Sequence, residues 1–250
     1  TVHNIGAYGA EVGNSIIEVE VLDISDMKTK TLNAKKCLFS YRDSVFKKPE
    51  GKNYIVTKVL FRLKKDGKLN TSYKDIALFC HSRAGGNPDS ITERLDPRIR
   101  EDDRINGNDN SRNFVTQTDE ITLKYLRLAV LSIRARKFPD LKVYGTAGSF
   151  FKNPTVSRNS YEQLREKYPQ IPAYLVSDEN YRISLAWVLD HICGLKGFRK
   201  GKVGLYENQP LVLVNFVGAS ANDVKNLANE IRQKVKEKVG IKIEPEVVFV

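Results

Sequence analysis

The chain has 250 residues and a mass of 28.4 kDa, and 41% of its residues are hydrophobic, which is enough for one large domain or two modest ones with a proper core. No window is apolar over the length that a membrane span requires, and the first residues lack the basic-then-apolar layout of a signal peptide, so we expect a cytoplasmic protein. The formal net charge of +11 suits nucleic acid or a small anionic ligand, but bases and acids are interleaved along the chain and no nucleic-acid recognition motif is present.

The N-terminal part is predicted to be mostly β-structure. Residues 15–22 (SIIEVEVL) and 54–63 (YIVTKVLFRL) alternate apolar and polar side chains at a period close to two, which is typical of strands. Residues 34–48 (AKKCLFSYRDSVFKK) predict a further strand that ends at an exposed turn. The Asp-Gly pair within 64–68 predicts a turn before an extended piece at 69–73.

Residues 81–113 differ in composition from the rest of the chain. This stretch has six arginines and no lysine, whereas the other residues favour lysine. The change suggests an in-frame insertion, and RAGGNPDSI with LDPRIREDD resembles translated palindromic repeat elements of bacterial genomes; an ordinary long surface loop is the alternative. Neither origin provides enough apolar surface to offset the entropy of ordering, so we predict an inserted, disordered segment without chemistry.

Helices and strands are mixed in the C-terminal part, which predicts an α+β fold. Thr118 is a candidate N-cap for a helix that runs to Arg136. The remaining predicted elements are helices at 158–167, 184–194 and 221–239 and strands at 211–217 and 246–250. The clearest is 221–239, which Ser220 caps with Asp223 three positions later and which Gly240 ends.

Two segments carry candidate anion-binding groups. Arg42 and Ser44 lie close together in YRDSVFK, and a guanidinium binds carboxylate or phosphate through paired hydrogen bonds; from this stretch alone a surface ion pair between Arg42 and Asp43 is the favoured reading. Tyr73 by itself predicts a half-buried strand tyrosine.

Glu246 is a candidate hydrogen-bond donor. Pro245 favours extended backbone before it, and alternation then places Glu246 on the same face as Val248 and Val250. A carboxyl group that enters an apolar strand loses hydration, which favours its protonated form. A solvated glutamate at a strand end is the alternative.

Ser149 lies in GTAGSFFKNP (145–154), where Gly145 and Gly148 permit unusual backbone that could present the hydroxyl beside a ligand. The G-x-S-x-G motif is absent and the three histidines are isolated, so we do not expect a hydrolase triad.

Cysteine usage supports neither a disulfide framework nor a metal site. Cys37, Cys80 and Cys193 are odd in number and have long, unrelated spacings without a C-x-x-C pair. We predict three reduced, buried, inert thiols and no metal.

Six segments, in this order, resemble the UDP-N-acetylenolpyruvoylglucosamine reductase (MurB) family, in the class with a tyrosine-bearing substrate loop. They are NIGAYGAEV, YRDSVFK, RKFPDLKVYGTAGSFFKNP, AWVLDHICGLKG, QPLVLVNF and IEPEVVF. The resemblance spans nearly the whole chain apart from 81–113, and the combination of GSFFKNP with YRDSVFK is specific.

The resemblance implies an NADPH-dependent flavin oxidoreductase of peptidoglycan precursor synthesis, and hence of cell-wall biogenesis, cell shape and cell division. NADPH would reduce bound FAD, and the flavin would then reduce UDP-N-acetylglucosamine enolpyruvate to UDP-N-acetylmuramate. The implied fold is the C-terminal half of a flavin-binding α+β domain followed by an α+β substrate-binding domain. The implied bounds are 1–80 for the partial FAD-binding domain and substrate loop, 81–113 for the inserted segment and 114–250 for the C-terminal domain.

The resemblance also implies roles for individual residues. Arg42 and Glu246 match the family's residues that stabilise the substrate carboxylate, and Ser149 matches its proton donor. Ile5 and Gly6, together with Arg42, match flavin contacts. The residues that match contacts to the uridine diphosphate, the sugar or the nicotinamide partner are Tyr73, Arg134, Lys137, Asn153 and Gln209.

In the family a preceding segment carries the glycine-rich turn that binds the FAD pyrophosphate, and the resemblance implies that this chain is N-terminally truncated. A separately encoded N-terminal segment is then an expected partner besides the UDP-sugar, and we expect a monomer that binds neither nucleic acid nor membrane. The alternatives are an inactive remnant that lacks the FAD pyrophosphate site and, third, a basic nucleic-acid-binding module.

Overall fold

The computed structural model describes residues 2–81 and 122–249. These residues form two compact units, the first containing 2–81 and 122–130 and the second containing 131–249. Apart from residue 81, the segment predicted at 81–113 lies outside the described residues, as does the predicted helix start at Thr118. Within the described ranges, no helix has the length and hydropathy needed to cross a membrane.

The first unit contains a two-stranded and a three-stranded antiparallel sheet. Its strands are β1 (Gly6–Ala7), β2 (Ala10–Glu11), β3 (Ile16–Asp23), β4 (Lys28–Asn33) and β5 (Tyr54–Phe61). β1 pairs with β2, and the larger sheet has the order β4-β3-β5. The strands predicted at 15–22 and 54–63 are confirmed as β3 and β5 with slightly shifted ends.

A bulge explains why β3 alternates only in part. Between Ile16 and Glu18 the strand β3 advances two residues while β5 advances one, so Ile17 is the extra residue. Ile16 and Val19 therefore share the buried face although they are three positions apart. Together with Val21 they form the core of this unit.

The strand predicted at 34–48 is wrong, because this segment turns repeatedly. Leu38 and Arg42 have φ values of +51° and +54°, and a 3₁₀ turn follows at Val45–Lys47. Ser40 and Asp43 exchange backbone hydrogen bonds of 3.0 and 3.1 Å across a tight turn. The sequence prediction relied on apolar alternation and missed the polar side chains that satisfy the backbone in place of a strand partner.

Strand β4 and a helix after Tyr73 are among the elements of the first unit that were not predicted. β4 has the mostly polar sequence KTKTLN because it is an edge strand with largely exposed side chains. Helix α1 (Lys74–His81) follows Tyr73 directly, so Tyr73 is not a strand residue as predicted. The predicted extended piece at 69–73 has no regular secondary structure.

The second unit has a four-stranded and a three-stranded antiparallel sheet, in the orders β10-β11-β12-β6 and β7-β9-β8. The strands are β6 (Gly145–Ser149), β7 (Thr155–Ser157), β8 (Ala173–Ser177), β9 (Asn180–Ile183), β10 (Arg199–Lys200), β11 (Val203–Tyr206) and β12 (Gln209–Asn215). The remaining helices are α2 (Leu123–Lys137), which crosses from the first unit into the second, α3 (Arg158–Lys167), α4 (Leu185–Trp187) and α5 (Ala221–Val239).

The predicted helices are confirmed where the structure describes them. α5 has the full capping box, since Ser220 Oγ accepts from the Asp223 N–H and Asp223 accepts in return, and Gly240 ends the helix with φ +71°. α3 has the predicted bounds, and the helix predicted at 184–194 is α4 continued by a π-helical turn at Val188–Ile192. Buried side chains of α5 pack into the core of the second unit.

At the C-terminus, the strand predicted at 246–250 is wrong while that at 211–217 is confirmed as β12. Pro245 makes an isolated bridge with Phe151, and the chain bends from Glu246. Val248 is 68% exposed rather than buried beside Glu246 as predicted. The β-rich composition of EVVFV indicated a strand, but pairing in the structure stops after one bridge.

The cysteines form no disulfide. Burial raises the pKa of the Cys37 and Cys193 thiols, which favours the protonated, unreactive form. Cys80 is half-buried, so the prediction of full burial holds for the other two only.

Candidate active site

In the second unit, Ser149 ends β6 immediately after a break in the pairing with β12. Ser149 is opposite Val212 and Thr146 is opposite Val214, so β6 has one residue more than β12 over this stretch. The irregularity includes Gly148, which has φ +77° and donates its N–H to Thr146 Oγ1 at 3.1 Å. A left-handed glycine in a bulge redirects the residue that follows. Ser149 is that residue, and its side chain is half-buried.

The chain after Ser149 brings Glu246 beside it. The Phe150 carbonyl accepts from the Glu246 N–H at 2.8 Å, and Phe151 is opposite Pro245. Phe150 and Phe151 are 4% and 1% exposed, so both rings anchor this crossing in the core. Ser149 and Glu246 therefore lie on adjoining backbone segments, although they are far apart in the sequence.

A second contact fixes the same crossing. The Lys152 N–H donates to the Glu244 carbonyl at 3.0 Å, and Lys152 Nζ lies 3.6 Å from Glu244 Oε2. Glu246 is thus held by main-chain pairing on its N-terminal side and is half-buried at a bend. It occupies this place as a loop residue, not as a residue of the predicted strand.

Asn153 and Gln209, two predicted substrate contacts, are also near this crossing. Asn153 Oδ1 accepts from the Leu185 N–H at 3.0 Å at the start of α4, so part of its side chain has a structural role. Gln209 begins β12, two residues before Leu211, whose carbonyl accepts from the Phe150 N–H at 2.8 Å.

Sequence analysis missed a row of polar side chains next to Asn153. Arg182 of β9 stands opposite Thr155 of β7 on one side and Tyr174 of β8 on the other. Residues opposite each other in antiparallel strands point to the same face, so a cation is flanked by a hydroxyl and a 62% exposed phenol. The sequence offered only one signal for this row, the short hairpin around Asp178. Its strands β8 and β9 have five and four residues, which is too few to show a periodic pattern.

Arg134 and Lys137, the other predicted substrate contacts, lie in the last turns of α2. They are three positions apart and so share a face of the helix. The Arg134 guanidinium is 4.8 Å from the centre of the Phe138 ring. Their place relative to Ser149 stays a prediction.

In the first unit, the structure brings together Ile5, Gly6 and Arg42, the three predicted flavin contacts. Arg42 Nη2 donates to the Gly6 carbonyl. A Cβ atom on Gly6 would lie 2.7 Å from Arg42 Nη1, so only glycine lets the guanidinium approach this closely. Ile5 is 60% exposed while its carbonyl accepts from the Val12 N–H at 2.9 Å. An exposed apolar side chain therefore stands beside a fixed cation.

Tyr73 packs on the turn between β1 and β2. Its ring meets that of Tyr8 edge to face, with centroids 5.1 Å apart and an interplanar angle of 80°. Asn70 Nδ2 donates to the Gly9 carbonyl at 3.4 Å, which ties the preceding residues to the same turn. The predicted substrate-loop tyrosine thus lies in the same unit and on the same hairpin as the predicted flavin contacts.

Charged groups of both signs lie near Arg42. Lys47 Nζ donates to the Arg42 carbonyl at 3.2 Å, while Glu11 is paired with Gly6, whose carbonyl accepts from Arg42. Partial burial lowers the pKa of His3, Lys47 lowers it further and Asp43 raises it. Within residues 2–81 and 122–249, no group of His, Cys, Asp and Glu side chains is arranged to hold a metal ion.

Comparison with known proteins shows which family this chain is similar to. Residues 140–250 match the model of the UDP-N-acetylenolpyruvoylglucosamine reductase C-terminal domain. The chain is 35% identical over 247 residues to the protein of that reductase name from Flavobacterium johnsoniae and 37% identical over 249 residues to the one from Bacteroides fragilis. These alignments cover 98% and 100% of this chain but 63% and 64% of the relatives, so the chain spans less than two thirds of their length.

A solved structure shares the fold. The crystal structure of UDP-N-acetylenolpyruvylglucosamine reductase (MurB) from Thermus caldophilus matches with a TM-score of 0.50 at 20% identity, over 98% of this chain and 57% of that one. The match confirms the predicted α+β fold. The family model and the alignments together show that residues 140–250 carry the UDP-N-acetylenolpyruvoylglucosamine reductase C-terminal domain, and that this chain is similar over nearly its whole length to the C-terminal portion of the reductases of that name.

Proposed function

We propose that this chain serves the NADPH-dependent, FAD-mediated reduction of UDP-N-acetylglucosamine enolpyruvate to UDP-N-acetylmuramate. Similarity to these reductases suggests an oxidoreductase of peptidoglycan precursor synthesis. The observation that supports the proposal for this chain is the Ser149 corner, where Ser149 follows the left-handed Gly148 and the next residue, Phe150, accepts a backbone hydrogen bond from Glu246.

Each polar group has a distinct task in this reaction. The double bond of the substrate is conjugated with a carboxylate, so addition of hydride to the far vinyl carbon moves negative charge onto that carboxylate. Arg42 supplies a fixed cation and the Glu246 carboxyl group supplies a hydrogen bond for this charge. Ser149 gives its proton to the near vinyl carbon, which completes the saturated product. The bound flavin supplies the hydride.

The residues of the first unit fit a flavin. Ile5 offers an exposed apolar surface for a ring, and Gly6 lets the backbone approach without a side chain. Arg42, fixed on the Gly6 carbonyl, provides a cation at the same place. We propose these three residues as the flavin contacts, and Tyr73, Arg134, Lys137, Asn153 and Gln209 as the contacts to the UDP-sugar or the nicotinamide partner.

We also propose domain bounds at 1–80, 81–113 and 114–250, a monomeric state and a cytoplasmic location. Size-exclusion chromatography with light scattering tests the monomer, and limited proteolysis followed by mass spectrometry tests the bounds.

Flavin binding and the two half-reactions test the function. The purified chain is titrated with FAD, and the flavin absorbance is followed first on addition of NADPH and then on addition of the enolpyruvate substrate. We expect Ser149→Ala to leave reduction by NADPH unchanged and to slow the substrate half-reaction by about 10²- to 10⁴-fold, since proton donation is lost only there.

Ser177→Ala, an exposed serine at the end of β8, is the matched control and should keep both rates. A wild-type chain that takes up no FAD would refute the proposal for this polypeptide. An unchanged substrate half-reaction in Ser149→Ala would refute the proton-donor role. A chain without flavin whose melting temperature rises with the UDP-sugar would support substrate binding without catalysis.

A further inference from the structure

Asn4 is a buried polar residue with three hydrogen bonds. Its side chain is 2% exposed, and its backbone has φ +55°, a conformation that asparagine tolerates better than most residues. Nδ2 donates to the Ser40 carbonyl at 2.7 Å and to Glu11 Oε2 at 2.8 Å, and Oδ1 accepts from the Gly13 N–H at 2.9 Å. The two donors of the amide are therefore both used on acceptors.

These bonds belong to a set that joins residues 2–13 to residues 40–44. Arg42 Nη2 donates to the Gly6 carbonyl, and Ser44 Oγ donates to the Val2 carbonyl. Ser44 is fully buried, so this end of the set, like Asn4, is shielded from water. Along residues 2–6, the Asn4 bond to the Ser40 carbonyl lies between the Ser44 bond to Val2 and the Arg42 bond to Gly6.

The bond from Asn4 reaches the turn that carries Arg42. Ser40 opens this turn, and its backbone pairs with Asp43 at 3.0 and 3.1 Å. Arg42 lies inside the turn with φ +54°, a strained conformation for a residue with a Cβ atom. Such a conformation persists only where neighbouring contacts determine it, and the Asn4 bond to Ser40 is one of these contacts.

We propose that Asn4 is a positioning residue that holds the 40–43 turn and so keeps the Arg42 guanidinium on the Gly6 carbonyl. The side chain at position 4 must donate twice, because the two partners of its Nδ2, Glu11 Oε2 and the Ser40 carbonyl, are both acceptors. Aspartate has the same size and tolerates the same backbone, but it has no N–H donor and sets a carboxylate against that of Glu11. The consequence for catalysis rests on the proposed function, whereas the placement of Arg42 does not.

The test compares Asn4→Asp, Glu11→Gln and the double variant in the full chain. Glu11→Gln alone should behave as wild type, since its amide oxygen still accepts from Asn4. In the double variant, the amide group introduced by Glu11→Gln donates to the new aspartate, which restores one bond and removes the repulsion. Asn33→Asp is the matched control, because Asn33 is exposed and its side chain accepts from the Lys36 N–H at 3.0 Å, a bond that a carboxylate can also accept.

The first readout needs no activity. Arg42 side-chain ¹⁵N–¹H signals, assigned by their loss in Arg42→Lys, should show slow guanidinium rotation in the wild type, in Glu11→Gln and in Asn33→Asp. We expect fast rotation in Asn4→Asp and partial recovery in the double variant. If Asn4→Asp does not fold, guanidinium rotation is compared between Glu11→Gln and the double variant instead. Rotation should be faster in the double variant, and equal rates would overturn the inference.

The second readout is the rate of the substrate half-reaction. Asn4→Asp should lower this rate by about 10- to 100-fold, because a displacement of the Arg42 guanidinium by about 1 Å has an effect of this size. The double variant should regain about tenfold of the rate, because substitutions at contacting residues are coupled. Arg42 signals that are the same in Asn4→Asp and wild type would overturn the inference. The two proposals can fail separately. If the wild-type chain binds no FAD but Asn4→Asp still shows fast rotation of the Arg42 guanidinium, the proposed function is refuted and the positioning role of Asn4 remains.

Discussion

Replacing Gly148 by alanine should destabilise the second unit through its backbone alone. Gly148 has φ +77°, and a Cβ atom there would meet no heavy atom within 4 Å. The cost is therefore the left-handed conformation of an L-residue, about 1–2 kcal/mol. Gly145, at the other end of β6, is the matched control: it has no positive φ, and its added Cβ atom makes an ordinary 3.5 Å contact with Asn215 Cβ. Alanine in a strand is favoured over glycine by about 0.5–1 kcal/mol.

The two variants should therefore differ by about 2 kcal/mol, which is roughly a 30-fold difference in the unfolding equilibrium. Urea unfolding followed by the fluorescence of Trp187, the sole tryptophan, measures this difference in the second unit. We expect Gly148→Ala also to slow the substrate half-reaction, because Ser149 follows the redirected residue. Equal stability of Gly148→Ala and Gly145→Ala would show that the left-handed bulge does not hold Ser149 in place.

Three further changes test other parts of the fold. Asp23→Asn should reduce stability above pH 4 and should reduce it progressively less as the pH falls to 2, because hydrogen bonds from Lys30 and Ser25 lower the pKa of Asp23 to about 2 and its contribution is lost as the pH falls through that value. Urea midpoints against pH measure this change, and a constant difference from wild type would contradict it. Ser220→Ala should cost about 1 kcal/mol in urea unfolding by removing the cap of α5, and no loss would mean that the cap is dispensable. Gly204→Ala should cost about 3 kcal/mol, since its Cβ atom would lie 2.5 Å from the Phe198 carbonyl oxygen; a melting temperature equal to wild type would refute this clash.

Local signals in the sequence were sufficient for the helices of the second unit. The bounds of α3 and α5 could be predicted because their signals act within a few residues. Each helix has a serine N-cap, and α5 also has an apolar stripe and a closing glycine. The same kind of argument failed for 34–48 and 246–250. There the apolar composition indicated strands, but 34–48 makes most of its backbone hydrogen bonds within local turns, such as that between Ser40 and Asp43, and the pairing of the C-terminal segment with Phe150 and Phe151 stops after one bridge.

The candidate site shows the same division. Resemblance to the reductase family indicated which residues to examine, including Ser149, Glu246 and Arg42. It did not predict that Glu246 leaves the sheet after one bridge, or that Arg42 adopts a left-handed backbone. Arg182 and Tyr174 were missed because their alignment across three strands depends on register.

The sequence alone determined the α+β class, the capped helices, the family resemblance and the chemical nature of the candidate groups. All of these depend on residue type and on neighbours along the chain. Tertiary structure decided where the groups lie. The bulge at Gly148 lies in the pairing of β6 with β12, Phe150 pairs with Glu246, and the Asn4 amide donates to the Ser40 carbonyl. Each of these features depends on contact between distant segments, which exists only once the chain has folded.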